Sequence, residues 1–511
     1  MEYSEDELEE IRSMGRGGSR CQASAASPAQ KIDASGVKNQ TKNAMAKEMK
    51  ATTKKTKLSD KIVSSKKRKD GPATKTAKSK TKAAKIKHKP NNADKKAKSR
   101  AQKSRQTTKS AKQKKAGNDS TDAHDFVKKL AKRTKRAESP EPAASSTEPD
   151  TITVGSDCTG YGSDFIALSL LNLNVSLAFV AEKDPGKREL MKAAHRDVNW
   201  ANVIVYHDIT KRDNNKAPYV DLFYTGAPCQ AYSQAGVRMA LDDAQDRGVV
   251  IFHSIDYIRC KRPKIAIIEN VKGLTMGANK EILDTIIGML KDLGYTVEWK
   301  VLNTKDNGIP QSRPRVYIVA IRTRHLFKSI SFPKAVKCNL TSFIDVDDKR
   351  PPDEAPVNAK CFKDAMAKAI AKYGKDLDEK WVVVDTSSSE KFSIAMEGCV
   401  PCITKSRGRT SGHWICKLNR YTTLVEIAAL QGLPKPILDR MMQSSQSQGD
   451  IGAAIGDAMS INVVMRVSAL ALASAGMIDK PCPDIWQQAH SVPGLMPDAL
   501  YMKRGCLKHL L

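Results

Sequence analysis

The sequence predicts an α/β protein: a mostly parallel sheet with helices on both faces, preceded by a long basic tail without fixed structure. Two observations carry that expectation. From residue 151 onward, short runs rich in β-branched residues (151–154, 176–180, 220–224, 265–268) alternate with segments of helix length, the pattern of strands joined by crossovers. Ahead of them, the charge is concentrated in one stretch. Of a formal net charge of +30, residues 31–136 hold 36 Lys and Arg against 8 Asp and Glu, or +28. The rest of the chain, with 50 basic and 48 acidic side chains, is close to neutral.

The basic stretch is poor in Leu, Phe, Tyr and Trp and rich in Lys, Ala, Ser and Thr, as in 74–98. Such a composition buries too little apolar surface to offset the entropy of ordering, so residues 1–150 are expected to be a disordered tail and linker. Its charge density suits sequence-independent neutralisation of phosphates, and its composition is similar to linker-histone tails. A solvated spacer is the plainer alternative. Lys66-Lys67-Arg68-Lys69 and 128–136 are clusters of nuclear-import type, which points to the nucleus and to chromatin. The acidic start, 2–10, lacks the pattern of a secretory signal. The longest apolar stretch, 451–478, is interrupted by Asp457, Asn462 and Arg466 and reads as a core strand and helix, so no membrane partner is expected. Eleven irregularly spaced cysteines suggest reduced thiols in an intracellular compartment.

Residues 137–150 form an acidic, Pro- and Ser-rich linker, and the strands follow. Ligands of parallel sheets bind at the carboxyl ends of strands. The first strand runs into Ser156-Asp157-Cys158-Thr159-Gly160-Tyr161-Gly162-Ser163, a turn whose glycines let backbone approach a ligand. The second ends at Glu182, where an acid can hold ribose hydroxyls. A third end carries His207-Asp208-Ile209. This arrangement fits a nucleoside-bearing cofactor, either a dinucleotide or S-adenosylmethionine, and spacing does not choose between them.

The next two strands end in Gly226-Ala227-Pro228-Cys229-Gln230 and Glu269-Asn270-Val271. Gln311-Ser312-Arg313-Pro314-Arg315 precedes a further strand, 316–321. Later come Arg420-Tyr421-Thr422-Thr423-Leu424-Val425-Glu426, Leu430-Gln431-Gly432-Leu433-Pro434 and Ile455-Gly456-Asp457-Ala458. In kind and order these blocks resemble the cytosine-5 DNA methyltransferase family, over about residues 151–475. The resemblance implies a Rossmann-like S-adenosylmethionine methyltransferase sheet. It divides the chain into a catalytic core (151–325), a small target-recognition region (326–400), a return to the core (401–478) and a C-terminal extension (479–511).

It also implies the chemistry. Cytosine C5 is a poor nucleophile until a thiolate adds at C6, a role that falls to Cys229. Glu269 contacts N3 and the exocyclic amine, Arg315 holds the O2 edge, and Arg313 braces the nucleophile loop. The target base must leave its stack to be reached. Around S-adenosylmethionine, Gly160 and Gly162 flank the methionine portion, with Cys158 and Tyr161 in the same turn. Glu182 takes the ribose, Asp208 and Ile209 frame the adenine, Pro228 and Val250 line the pocket, and Asp457 closes it.

Two blocks depart from the family's pattern. Ser156 and Cys158 stand where an acid and an aromatic are usual, which puts the packing against the cofactor in doubt, and Asp457 replaces an Asn. DNA is the partner implied. The alternatives are methylation of tRNA cytosine, since tails of this kind also bind RNA, and a non-catalytic chromatin-architectural protein with a decayed methyltransferase fold. No metal is expected. Cys399, Cys402, His413 and Cys416 have the spacing of a zinc site, but buried thiols are the preferred reading. Deleting residues 31–136 is expected to weaken nucleic-acid binding most at low salt while leaving methyl transfer intact; binding isotherms across a salt series check this, and an unchanged salt slope would refute the tail's role.

Overall fold

The structure, a computed structural model, describes residues 123–136, 151–228, 232, 247–357, 359–386, 388, 390–410, 412–487 and 498. The expected disorder of residues 1–122 and 137–150 concerns residues outside that set. Within it, the main sheet comprises β1 (Ile152–Asp157), β2 (Val175–Ala181), β3 (Ile204–Tyr206), β4 (Leu222–Thr225), β5 (Ile265–Val271), β6 (Tyr295–Asn303) and β8 (Pro314–Arg322). A short β7 (Gln311–Ser312) pairs with β11 (Val400–Pro401) beside it. The order is β3-β2-β1-β4-β5-β8-β6. The five strands from β3 to β5 are parallel, and β8 runs antiparallel to both β5 and β6.

Every residue of β1, β4 and β5 is buried, as expected of central strands covered on both faces. One apolar layer packs the helices Ser163–Ser169, Pro185–Ala194 and Ile461–Ser474 against the sheet. The opposite layer holds Val250–Lys261 and Asn279–Asp292. Strand order reverses between β1 and β4, so a crevice opens there at the carboxyl ends.

Three expectations change. First, residues 123–135, inside the presumed disordered tail, are helical, and Ala123, Val127 and Leu130 are buried in the second layer. Positions 123, 127, 130 and 134 share one helical face, while every Lys and Arg from 128 to 136 is exposed. Counting charge alone concealed this amphipathic stripe. Second, the small region extends beyond 400. Its sheet runs β10 (Ala395–Glu397), β9 (Val382–Val384), β12 (Trp414–Ile415), β13 (Arg420–Tyr421), with the helix Lys360–Tyr373 packed on it through Phe362, Ala365 and Trp414.

Third, the apolar stretch near the C-terminus is two helices, Gln448–Asp457 and Ile461–Ser474, with no strand. By length and composition it could cross a membrane, yet 83% of its apolar window is buried inside the protein. It is core. The expected C-terminal extension also begins inside that core: Trp486 is fully buried, and Asp484 pairs with Arg466 at 2.8 Å.

The helices Lys405–Arg409 and Gln448–Asp457 cross where glycine meets glycine. A Cβ on Gly408 would lie 1.9 Å from the Gly452 carbonyl oxygen, and one on Gly452 would lie 2.0 Å from that of Gly408. Backbone on both sides leaves nothing flexible to give way. Gly452→Ala is therefore expected to destabilise the protein by about 2 kcal/mol or more, read as a lower midpoint in denaturant unfolding.

Candidate active site

The carboxyl ends of the parallel strands open onto a cleft of about 1230 Å³. Its walls include Cys158, Gly160, Glu182, Asp208, Ile209, Pro228, Val250, Glu269, Arg313, Arg315 and Asp457. The sequence singles out all of these, from eight separate stretches of chain.

After β1 the chain turns sharply. Gly160 has φ 63° and Gly162 φ 86°, conformations that favour glycine, and Cys158 adopts φ 56° without that freedom. Glu182, at the end of β2, ties this turn to the sheet: Oε2 accepts from Gly160 N and Oε1 from Asp184 N, each at 2.9 Å. Each oxygen keeps a lone pair for a ribose hydroxyl. Asp208 caps Ile209–Lys211, accepting from Thr210 N at 3.0 Å, and pairs with Lys183 at 3.1 Å. Burial raises the Asp208 carboxyl, but bonds from Thr210 and Lys183 outweigh it and hold the group below its usual range.

Tyr161 and Gly162 are not in the cleft wall. The Tyr161 side chain is fully buried in the first apolar layer. Gly162 faces His195, whose Nε2 would sit 2.5 Å from a Cβ there. The first serves packing and the second a tight turn, and neither is brought to a ligand.

Beneath the turn, Asp157 is buried and paired bidentately with Arg212, at 2.6 and 2.8 Å, and accepts from Ser254 Oγ at 2.9 Å. The Arg212 guanidinium also lies 5.0–5.3 Å from the rings of Tyr257, Tyr206 and Phe179, a cation–π arrangement.

Glu269 leaves β5 at the far side of the cleft, and its Oε1 lies 3.2 Å from Arg315 Nε. Burial pushes its pKa up, while Arg315 and then Arg313 oppose the rise. The carboxyl is therefore a better proton donor near neutral pH than an exposed glutamate. Arg313 donates to the carbonyls of Ile403 (2.8 Å), Gly456 (3.1 Å) and Ala458 (2.6 Å). It thus clamps the chain at Ile403 and the block 455–458 onto the sheet; the contact expected of it with the nucleophile loop falls outside the described residues. So does Cys229 itself. The loop's flanks are placed: Ala227 and Tyr232 are buried, and Asn270, next to Glu269, donates to the Ala227 carbonyl at 3.3 Å.

Sequence reasoning missed four cleft residues. Lys187 pairs with Asp457 at 2.6 Å. Cys402 lies 3.7 Å from Arg313 Nη1 and 3.9 Å from Arg315 Nη2; burial raises its thiol, but the two guanidinium groups prevail and lower it. Phe126 and His253 also line the cleft. A basic residue inside an ordinary helix and a cysteine read against zinc spacing gave no usable signal. Cys402 stands in the cleft and Cys416 in the small-region cluster. No group of three or more His, Cys, Asp or Glu among the described residues is arranged around a metal.

A Gly turn at the switch point, an acid at each of two neighbouring strand ends, and apolar Ile209, Pro228 and Val250 between them fit a nucleoside-bearing cofactor such as S-adenosylmethionine. Fold and cleft together define a Rossmann-like α/β protein with a cofactor site beside a buried acid–guanidinium pair. The chain belongs to the C-5 cytosine-specific DNA methylase family, whose family profile matches residues 162–470. It is 32% identical over 210 residues to the Type II methyltransferases M.NlaIV of Neisseria lactamica and M.NgoBV of Neisseria gonorrhoeae, covering 40% of this chain and 46% of each relative. The match thus spans about half the length of those relatives. Among solved structures, the Entamoeba histolytica methyltransferase EhMeth aligns with 63% of this chain and 98% of its own, at 15% identity and a TM-score of 0.46.

Ser156, in place of the family's usual acid, donates to Asp164 at 2.5 Å. Burial raises Asp164 to about 6, against the hydrogen bonds from Ser156 and Phe165. A carboxyl raised on folding adds stability that is fully present below its unfolded pKa and lost as pH rises through about 6. Asp164→Asn, which keeps an acceptor for Phe165 N and donates to Ser156 Oγ, should raise the melting temperature at pH 8. The gain, at most roughly 3 kcal/mol, should shrink as pH falls below 6; thermal melts from pH 4 to 8 read it directly.

Proposed function

We propose that this protein transfers a methyl group from S-adenosylmethionine to C5 of cytosine in DNA. The observation that carries this reading is the Glu269–Arg315 pair at 3.2 Å, facing the same cleft as Gly160, Glu182 and Asp208. It puts a protonating acid and a cation for the base carbonyl beside a nucleoside site. S-adenosylmethionine supplies an electrophilic methyl group when bound. The chain's residues do the rest. Glu269 gives a proton toward N3 of an extruded cytosine while Arg315 holds O2. Cys229, two residues beyond the carbonyl that Asn270 fixes, adds as thiolate at C6. With C6 bonded to sulfur, C5 takes the methyl group. A base takes the C5 proton as the thiolate leaves C6, and N3 returns its proton to Glu269, which restores the ring.

DNA is favoured over tRNA because Ser233 and Gly236, just after the nucleophile, resemble the DNA-acting branch, and because the curated relatives include Type II methyltransferases. The basic residues 31–122 would hold the protein on polyanions, and the clusters at 66–69 and 128–136 favour a nuclear, chromatin-associated protein. The small region of residues 360–421 is the proposed reader of target context.

Incubation with cofactor carrying a labelled methyl group, and either duplex DNA or tRNA, tests the reading. Label is expected on DNA cytosine, and label on tRNA alone would overturn the substrate assignment. Cys229→Ala should abolish transfer. Glu269→Gln should lower kcat by about 10²-fold or more, the range for loss of a general acid, while the protein still binds S-adenosylhomocysteine.

A further inference from the structure

We propose that the helix 123–135, which joins the basic tail to the folded domain, is a wall of the cofactor pocket, with Phe126 closing its adenine end. This rests on the cofactor reading above and adds a residue that no motif block contains.

The helix is held by its apolar stripe. Ala123, Val127 and Leu130 are buried in the layer that also holds Ile251, Phe252 and Ile255 of the helix Val250–Lys261. That anchoring brings Phe126, on the flank of the stripe, onto His253. The two rings stack with centroids 4.5 Å apart and planes 18° from parallel. Both rings, together with Ala123, line the cleft that Asp208, Ile209 and Val250 also line. Asp208 is close enough for its charge to act on His253, which sets the stacked pair at the Asp208 end. Burial lowers the His253 pKa, although Asp256 and Asp208 oppose it. The imidazole is thus held neutral, and the pair presents a flat, uncharged aromatic edge.

An adenine ring needs such a surface, since its faces are apolar and polarisable while its edge hydrogen-bonds. In this chain the first block offers Cys158 where the family has an aromatic. Phe126 and Cys158 border the same cleft, so an aromatic absent from the turn is supplied from the helix before β1. On this proposal the C-terminal end of residues 31–136 cannot be removed without touching the pocket, because Ala123 and Phe126 line it.

Binding of S-adenosylmethionine and S-adenosylhomocysteine to the full-length protein, measured by calorimetry without nucleic acid, tests this. Phe126→Ala should weaken both by about tenfold or more, with the melting temperature of the cofactor-free protein within a few degrees of the parent. Phe126→Tyr should restore binding. Deletion of 1–120 should leave affinity unchanged, and deletion of 1–136 should weaken it at least as much as Phe126→Ala. Replacing the outward-facing Lys128, Lys132 and Arg133 by Ala should leave it unchanged. Parental affinity in Phe126→Ala, or in the 1–136 deletion, overturns the proposal while the cofactor reading stands. Failure of the parent itself to bind either compound overturns both.

Discussion

The cleft depends on one buried guanidinium that gathers backbone from two segments, at Ile403 and at 456–458. Arg313 is almost fully buried, and its donors reach the carbonyls of Ile403, Gly456 and Ala458. A cation taken out of water is costly unless it is hydrogen-bonded, and here backbone oxygens accept from both Nη1 and Nη2, while the buried Nε has no partner among the described residues. The consequence is long-range: strands formed by residues 152–322 are closed over by Ile403, within the small region, and by 456–458, beyond it. Because side chains two apart on an extended chain face the same way, fixing Arg313 also aims Arg315 at Glu269. A structural clamp and a chemical pair thus follow from one short stretch, Gln311 to Arg315. Gln311 extends the clamp, donating to the Leu430 carbonyl at 2.7 Å and accepting from Ile403 N at 3.0 Å.

With the walls fixed, charge is distributed so that each end of the cleft has a distinct character. At the cofactor end the acids are engaged by donors, Asp208 by Thr210 and Lys183, Asp457 by Lys187 and Glu182 by two backbone amides, and for Asp208 and Asp457 these partners hold the carboxyl below its usual range. At the opposite end burial works the other way on Glu269 and favours its proton. Pushing the pKa values of neighbouring acids in opposite directions by environment is how one site combines binding with acid chemistry.

The ordered motif blocks made most of this legible from sequence, because strand-end residues carry both the local turn chemistry and the reactive groups. Glu269, Glu182 and Asp208 lie at the cleft as the rule for carboxyl ends of parallel strands anticipates, and Arg315 reaches it from the amino end of the antiparallel β8. What escaped detection depended on tertiary neighbours. Tyr161 sits in a ligand-binding turn yet points into the core, and no local pattern distinguishes the two directions. The stretch 448–474 is apolar nearly throughout, so periodicity could not tell strand from helix. The helix 123–135 was obscured by its own outer face, whose lysines made an amphipathic segment look like more tail.

Departures from the family pattern are matched by compensation in space, which bears on whether the fold is a relic. Ser156 stands where an acid is usual, and Asp164 supplies a carboxyl 2.5 Å from its hydroxyl. Asp157, displaced by one position, is neutralised by Arg212 through two bonds. Asp457 replaces an Asn, and Lys187 from another helix lies 2.6 Å away. A site no longer under constraint would lose single partners and leave buried charges unmatched, each destabilising by several kcal/mol. Here Asp157 and Asp457 each have a cationic counterpart, the second of them in the cleft wall, and the Glu269–Arg315 pair is intact. Paired charges of this kind keep the cleft walls stable despite the departures from the family pattern.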